Sequence, residues 1–282
     1  MKHKIALLTD SGSDVPYYLV KELDIFVSPL QVNYKNHSYR DGVDIDAETM
    51  YERLPIEVPS TSLPLGEDIT KIFEQIKAEG YTHIIAVVLS SGLSGTYNLI
   101  NLMAKEAPLP MEVLDTKNIG IGSGLTVIKT AEFIKAGLSF EEVIAKVKET
   151  IDKTKVYFVL DTLEYLQKGG RIGKVTALIG YALDLRPIIT CNDEGIYTTV
   201  AKARGRMVSI NRCLQMALDF VKDAESFTIG LAHGQALDEV LKLKEQLIAK
   251  YGNRVKIYVG QVSPALGVHT GPGLIGMGIQ ID

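Results

Sequence analysis

Apolar runs long enough for a strand occupy residues 4–9, 25–32, 83–89 and 111–115, and helix-period patterns fall between several of them. That alternation predicts a parallel sheet with crossover helices. Pro16 opens a helix over 17–23, because proline lacks a donor that the first turn leaves unused. Further helices are predicted at 47–54, 67–78 and 96–105, with two more between 124 and 152. Beyond residue 155 strand patterns crowd together, at 156–160, 186–192, 196–199, 227–232, 255–262 and 274–281. The turn-rich stretch 192–195 closes a hairpin between two of them, so a mixed sheet fits this half better than a parallel one. Amphipathic helices at 207–221 and 237–250 are suited to cover it. The change of pattern puts the domain boundary near 153–156, giving segments 1–154 and 155–282.

Composition narrows the function classes. Hydrophobic residues make up 46% of the 282 and charged residues 23%, which excludes a disordered, collagen-like or coiled-coil chain. A net charge of −4 argues against nucleic acid as a partner of the whole molecule. The charge is uneven, however: residues 1–154 carry 15 basic and 22 acidic side chains, residues 155–282 carry 15 and 12. The basic excess of the second half is either a solvated face or a surface for an anion or acidic partner. Two cysteines, Cys191 and Cys213, make neither a disulfide framework nor a zinc motif. No apolar run reaches membrane-spanning length and the first residues hold no signal-peptide core, so the expected compartment is the cytoplasm.

Four small polar clusters lie at predicted element ends: residues 9–14 (TDSGSD), 60–62 (STS), 90–96 (SSGLSGT) and 269–273 (HTGPG). Loops at the carboxyl ends of parallel strands are where open α/β sheets bind ligands, although each cluster taken singly also suits helix capping. Phosphate motifs fail. A Walker loop ending at Gly173-Lys174 has Lys168 at its first glycine, and a dinucleotide loop at Gly120 has Leu125 at its third. A serine hydrolase using Ser94 or Ser11 with His269 as base is an alternative, but the nucleophile elbow is absent because Thr96 stands where a glycine belongs. Metal binding is weaker still, since Asp41, Asp44 and Asp46 lack the spacing of a calcium loop and the histidines form no ligand pair.

Taken in order, TDSGSD at 9–14, PSTSLP at 59–64, SSGLSGTY at 90–97, LDTLEYLQKGGRIG at 160–173, KARGR at 202–206 and HTGPG at 269–273 resemble the DegV family of bacterial fatty-acid-binding proteins. The resemblance spans essentially the whole chain. It implies a two-domain α/β protein, with an N-terminal three-layer α/β/α parallel-sheet domain, a C-terminal α/β domain with a mixed sheet, and one long-chain fatty acid such as palmitate or oleate between them. It further implies a non-enzymatic carrier without metal or other cofactor. A separate fatty-acid kinase would phosphorylate the presented carboxylate for phospholipid synthesis, and transient membrane contact is compatible with that role. Matched residue by residue, the carboxylate site falls on Thr61, Ser94 and His269, with Arg171 near the pocket mouth and Ser62 and Ser91 as neighbours. Lys202, Arg204 and Arg206, with Arg171, are expected to form a basic surface for the kinase. Where many relatives have valine beside the first arginine of this motif, the chain has Ala203. A helix at 176–183 is a candidate lid, with ordinary core as its plainer reading.

Overall fold

The computed structural model describes residues 3–173, 175 and 185–282; the candidate lid at 176–183 lies outside them. The first sheet is wholly parallel, in the order β2 (Ile25–Ser28), β1 (Ile5–Asp10), β6 (His83–Val88), β7 (Met111–Asp115). Strand alternation divides its side chains between two helical layers. Ile5, Leu7, Ile85 and Val87 pack on α5 (Ile121–Lys135) and α6 (Phe140–Asp152), while Ala6, Leu8, Ile84 and Ala86 pack on α3 (Gly66–Ala78) and α4 (Thr96–Met103). The short α1 (Tyr17–Glu22) follows β1. This is the three-layer arrangement expected from the sequence.

The second sheet is mixed, ordered β10 (Tyr197–Arg204), β9 (Leu185–Cys191), β8 (Thr154–Val159), β13 (Ile275–Ile281), β11 (Phe227–His233), β12 (Val255–Gln261). Only β11 and β12 run parallel. One face buries α8 (Arg206–Phe220) and α9 (Leu237–Tyr251) against Ile229, Leu231, Ile275 and Met277. The other turns Val156, Phe158 and Ala232 toward Leu89, Ile119 and Ile121 of the first half. The predicted hairpin at 192–195 is present, closed by bonds from Asn192 N–H to Ile196 C=O and from Gly195 N–H to Asn192 C=O. Its second strand runs five residues beyond the predicted end at 199, because a bulge at Val200 shifts the register and lets pairing resume at Ala201.

One expectation is corrected. The apolar run 25–32 is not a single strand: it breaks after Ser28 at Pro29, which has no N–H to give a ladder. The chain then enters a three-stranded antiparallel sheet of β4 (Ser38–Arg40), β3 (Gln31–Asn33) and β5 (Ser60–Ser62). This small sheet packs with α2 (Ala47–Arg53) and α10 (Pro264–Thr270) around Val32, Met50, Tyr51 and Val268. Cys191 and Cys213 are free and buried, and burial raises both thiols above their ordinary range.

Candidate functional site

Parts of the chain far apart in sequence meet around a cavity of about 170 Å³. Thr61 comes from β5, Ser94 from the loop between β6 and α4, His269 from α10, and Arg171 from the segment after α7 (Glu164–Lys168). Thr61 Oγ1 lies 2.7 Å from His269 Nε2. The position of α10 is set at both ends. Asp14 Oδ1 accepts the Ser263 N–H at 2.9 Å and Asp41 Oδ1 accepts the Ala265 N–H at 3.1 Å, satisfying donors that a helix start leaves open. At the other end Gly271, at φ 68°, lets the chain turn away after His269.

Gly169 explains how Arg171 and His269 share this space. A Cβ at Gly169 would collide with the imidazole, and Arg171 Nη1 donates to the Gly169 carbonyl at 2.8 Å. Burial, with a smaller push from the Arg171 guanidinium, lowers His269 to about 4, so the ring is neutral at pH 7. When the proton sits on Nε2, the imidazole donates to Thr61 and leaves the threonine O–H free to donate to an anion. Arg171 is the one charged side chain among the described residues lining this cavity. A single positive charge beside hydroxyl donors suits a monoanionic head group.

The other sequence candidates separate. Ser62 lines the cavity and its hydroxyl accepts from Asn33 Nδ2 at 3.0 Å. Ser94 also lines it, with its Oγ 2.8 Å from Thr96 Oγ1 and accepting the Thr96 N–H at 3.3 Å. Ser91 stands apart: its N–H reaches the Asp115 carboxylate at 3.3 Å and it does not line this cavity. Lys202 and Arg204 are exposed on the edge strand β10, on either side of the buried Ala203. Arg206 is committed internally. Its Nε and Nη2 grip Glu239 at 2.8 and 2.5 Å, while Nη1 donates to Asp161 at 2.6 Å and to the Gly273 carbonyl at 2.8 Å.

What the sequence reading missed is apolar. A second cavity, of about 40 Å³, shares Ile119, Tyr197 and Leu266 with the first and continues to Val156, Phe158, Leu274 and Gly276. Only the alternation Gly276-Met277-Gly278 along a strand hinted at it. The two cavities thus share one wall, the first with polar side chains around it and the second mostly apolar apart from Asp14 and Thr270. The hydrolase arrangement is not assembled: His269 Nε2 faces Thr61 rather than Ser94, and no hydrogen-bond partner among the described residues orients its buried Nδ1. Ser11 donates to Asp41 at 2.6 Å. An imidazole lowered to about 4 is also a poor general base at neutral pH. Among the described residues no His, Cys, Asp and Glu group could hold a metal ion, and no helix is long and apolar enough to cross a membrane.

Comparison with known proteins gives the same picture. A DegV domain-containing protein of Clostridium acetobutylicum is 42% identical over 275 residues, covering 97% of this chain and 98% of its own. The structure of a fatty-acid-binding DegV family protein from Thermus thermophilus superposes with a TM-score of 0.90 at 29% identity, covering 99% of this chain and all of the other. DegV of Bacillus subtilis, described as a fatty acid binding protein, has the same TM-score at 27% identity, with 99% and 100% coverage. The family model described as "Uncharacterised protein, DegV family" matches residues 4–282, and the chain belongs to that family.

Proposed function

We propose that the protein is a non-enzymatic carrier of one long-chain fatty acid, such as palmitate or oleate. The carboxylate lies among Thr61, Ser94, Arg171 and His269, and Ser62 borders it. The observation that carries this reading is that a cavity lined by Arg171 and several hydroxyls and a second, mostly apolar cavity share the wall made by Ile119, Tyr197 and Leu266. A carboxylate taken from water needs hydrogen bonds, which the first supplies. The tail needs burial, which the second begins: about 14 methylenes at ~0.8 kcal/mol each give on the order of 11 kcal/mol before ordering costs. That gross term is of the size needed to hold a lipid that would otherwise partition into a membrane, and transient membrane contact would serve loading.

A neutral His269 and a half-buried Arg171 hold the head without enclosing it in fixed charge. Such a head can be handed to a second protein, and the family resemblance points to a cytoplasmic fatty-acid kinase that forms the acyl phosphate. The test is denaturing extraction of the purified protein followed by mass spectrometry. About one free fatty acid per chain is expected, with no turnover of p-nitrophenyl esters. A protein that yields no lipid and takes up none from an added palmitate solution would refute the carrier reading.

A further inference from the structure

Where α5 meets the mixed sheet, glycines stand on both sides, Gly122 on the helix and Gly230, Gly276 and Gly278 on the strands, and three of the four are dictated by packing. A Cβ at Gly122 would stand 2.7 Å from Val156 Cβ, and one at Gly278 would stand 3.0 Å from the backbone of Ile121 and Gly122. At Gly230 an added Cβ would run into Ile121. These three residues let the start of α5 lie directly on the strands, where a side chain would push it away. Gly276 belongs to the same face, since Ile275 and Met277 point to the opposite one. Its backbone is not in the left-handed region, and a Cβ there would meet nothing nearer than Ala232 Cβ at 3.5 Å, an ordinary contact.

Neither backbone conformation nor a close neighbour therefore requires glycine at 276. The missing side chain instead leaves open space, because Gly276 lines the apolar cavity between Ala232 and Phe158, its partners in register on the two flanking strands. It does not line the cavity that holds Thr61, Arg171 and His269. We propose that Gly276 determines which acyl chains fit, its absent side chain leaving the room taken by the methyl end of a long one. This rests on the carrier reading above. Selection by length follows because a packed apolar wall does not yield to an extra methylene without displacing its neighbours.

The experiment uses the full chain, stripped of lipid and loaded from an equimolar mixture of myristic, palmitic and stearic acids, with the retained acids quantified by mass spectrometry. Wild type is expected to retain the longer acids. Gly276→Leu should shift the retained population toward myristic acid, lowering the stearic-to-myristic ratio by roughly 5- to 150-fold, the range that corresponds to overpacking a closed site. Gly276→Ala, which the local spacing accommodates, should shift it in the same direction by less. If Gly276→Leu fails to fold by circular dichroism, the Ala variant decides. A folded variant with the wild-type distribution, or one that loses all three acids equally, overturns the proposal. Wild type that retains none of the acids instead overturns the carrier reading, and this one with it.

Discussion

Thr61 and His269 are 208 positions apart in the chain, yet they meet at 2.7 Å in the wall of the candidate cavity. Thr61→Val keeps the shape of the side chain, removes its only hydroxyl and leaves His269 Nε2 without its partner. A hydrogen bond to a charged acceptor is worth about 1.5–3 kcal/mol, so palmitate binding should weaken by roughly 10- to 150-fold. Titration of the delipidated variant measures this, and an unchanged dissociation constant would remove Thr61 from the head site. Gly169→Ala acts one step away: its methyl would displace the imidazole without touching a hydroxyl. A loss of binding of similar size is expected from it. Thr61 and His269 came into view through the family resemblance, whose motifs PSTSLP and HTGPG contain them; taken singly, those small polar clusters suit helix capping as well. Ile119, Tyr197 and Leu266 were not legible in the sequence, since an apolar side chain lining a tunnel and one filling a core follow the same periodicity.

At the scale of elements, α10 brings His269 to the candidate site, and the apolar pattern along the chain does not predict this helix. It spans only Pro264–Thr270, and Gly267 in its middle is there because a Cβ would strike Met50 and Tyr51. No amphipathic pattern survives in so short a buried helix. The small sheet escaped for a related reason: Val32 pairs with Tyr39 on one side and Thr61 on the other, and three-residue strands owe their existence to such long-range partners. The long strands and helices, by contrast, show their period locally. The start of α10 is held by Asp14 and Asp41, with Asp10 nearby, and burial raises these three carboxyls to about 8, 6 and 7 from 3.8. Each binds its proton more tightly folded than unfolded, so its stabilisation is fully present below pH 3.8 and is lost as pH rises through the folded value. His269 has the opposite sign. Lowered to about 4 from 6.5, it favours folding above pH 6.5 and loses that contribution as pH falls. His233 and His83 are lowered in the same sense. Above pH 6.5, however, imidazoles are largely neutral folded and unfolded alike and the raised acids alone remain, so thermal stability should decline between pH 6.5 and pH 8.5. Asp14→Asn retains an acceptor for the Ser263 N–H and tolerates the left-handed backbone at φ 45°. It should flatten the decline by about 1.4 kcal/mol per pH unit between pH 6.5 and 7.5. An unaltered slope in the variant would place the titrating groups elsewhere.

For the whole molecule, charge separates what holds the protein together from what faces outward. The second half has a basic excess of three, but Arg206 and Arg186 both converge on Asp161, and Arg206 also clasps Glu239 between the starts of α8 and α9. Reversing Arg206 would therefore break an internal network and read out as misfolding. Lys202 and Arg204 are exposed on an edge strand, on either side of the buried Ala203. If a kinase collects the lipid through this surface, the variant Arg204→Glu should keep its fatty-acid load and melting temperature. Its rate of kinase-dependent acyl phosphate formation should fall by roughly tenfold or more at low ionic strength, because complementary charge acts mainly on encounter. Added salt should narrow the gap between variant and wild type, since a Debye length of about 8 Å at 0.15 M screens exposed charges. Equal rates for the two proteins at every salt concentration would show that the kinase docks on another face, and the basic excess of this half would then be solvated surface.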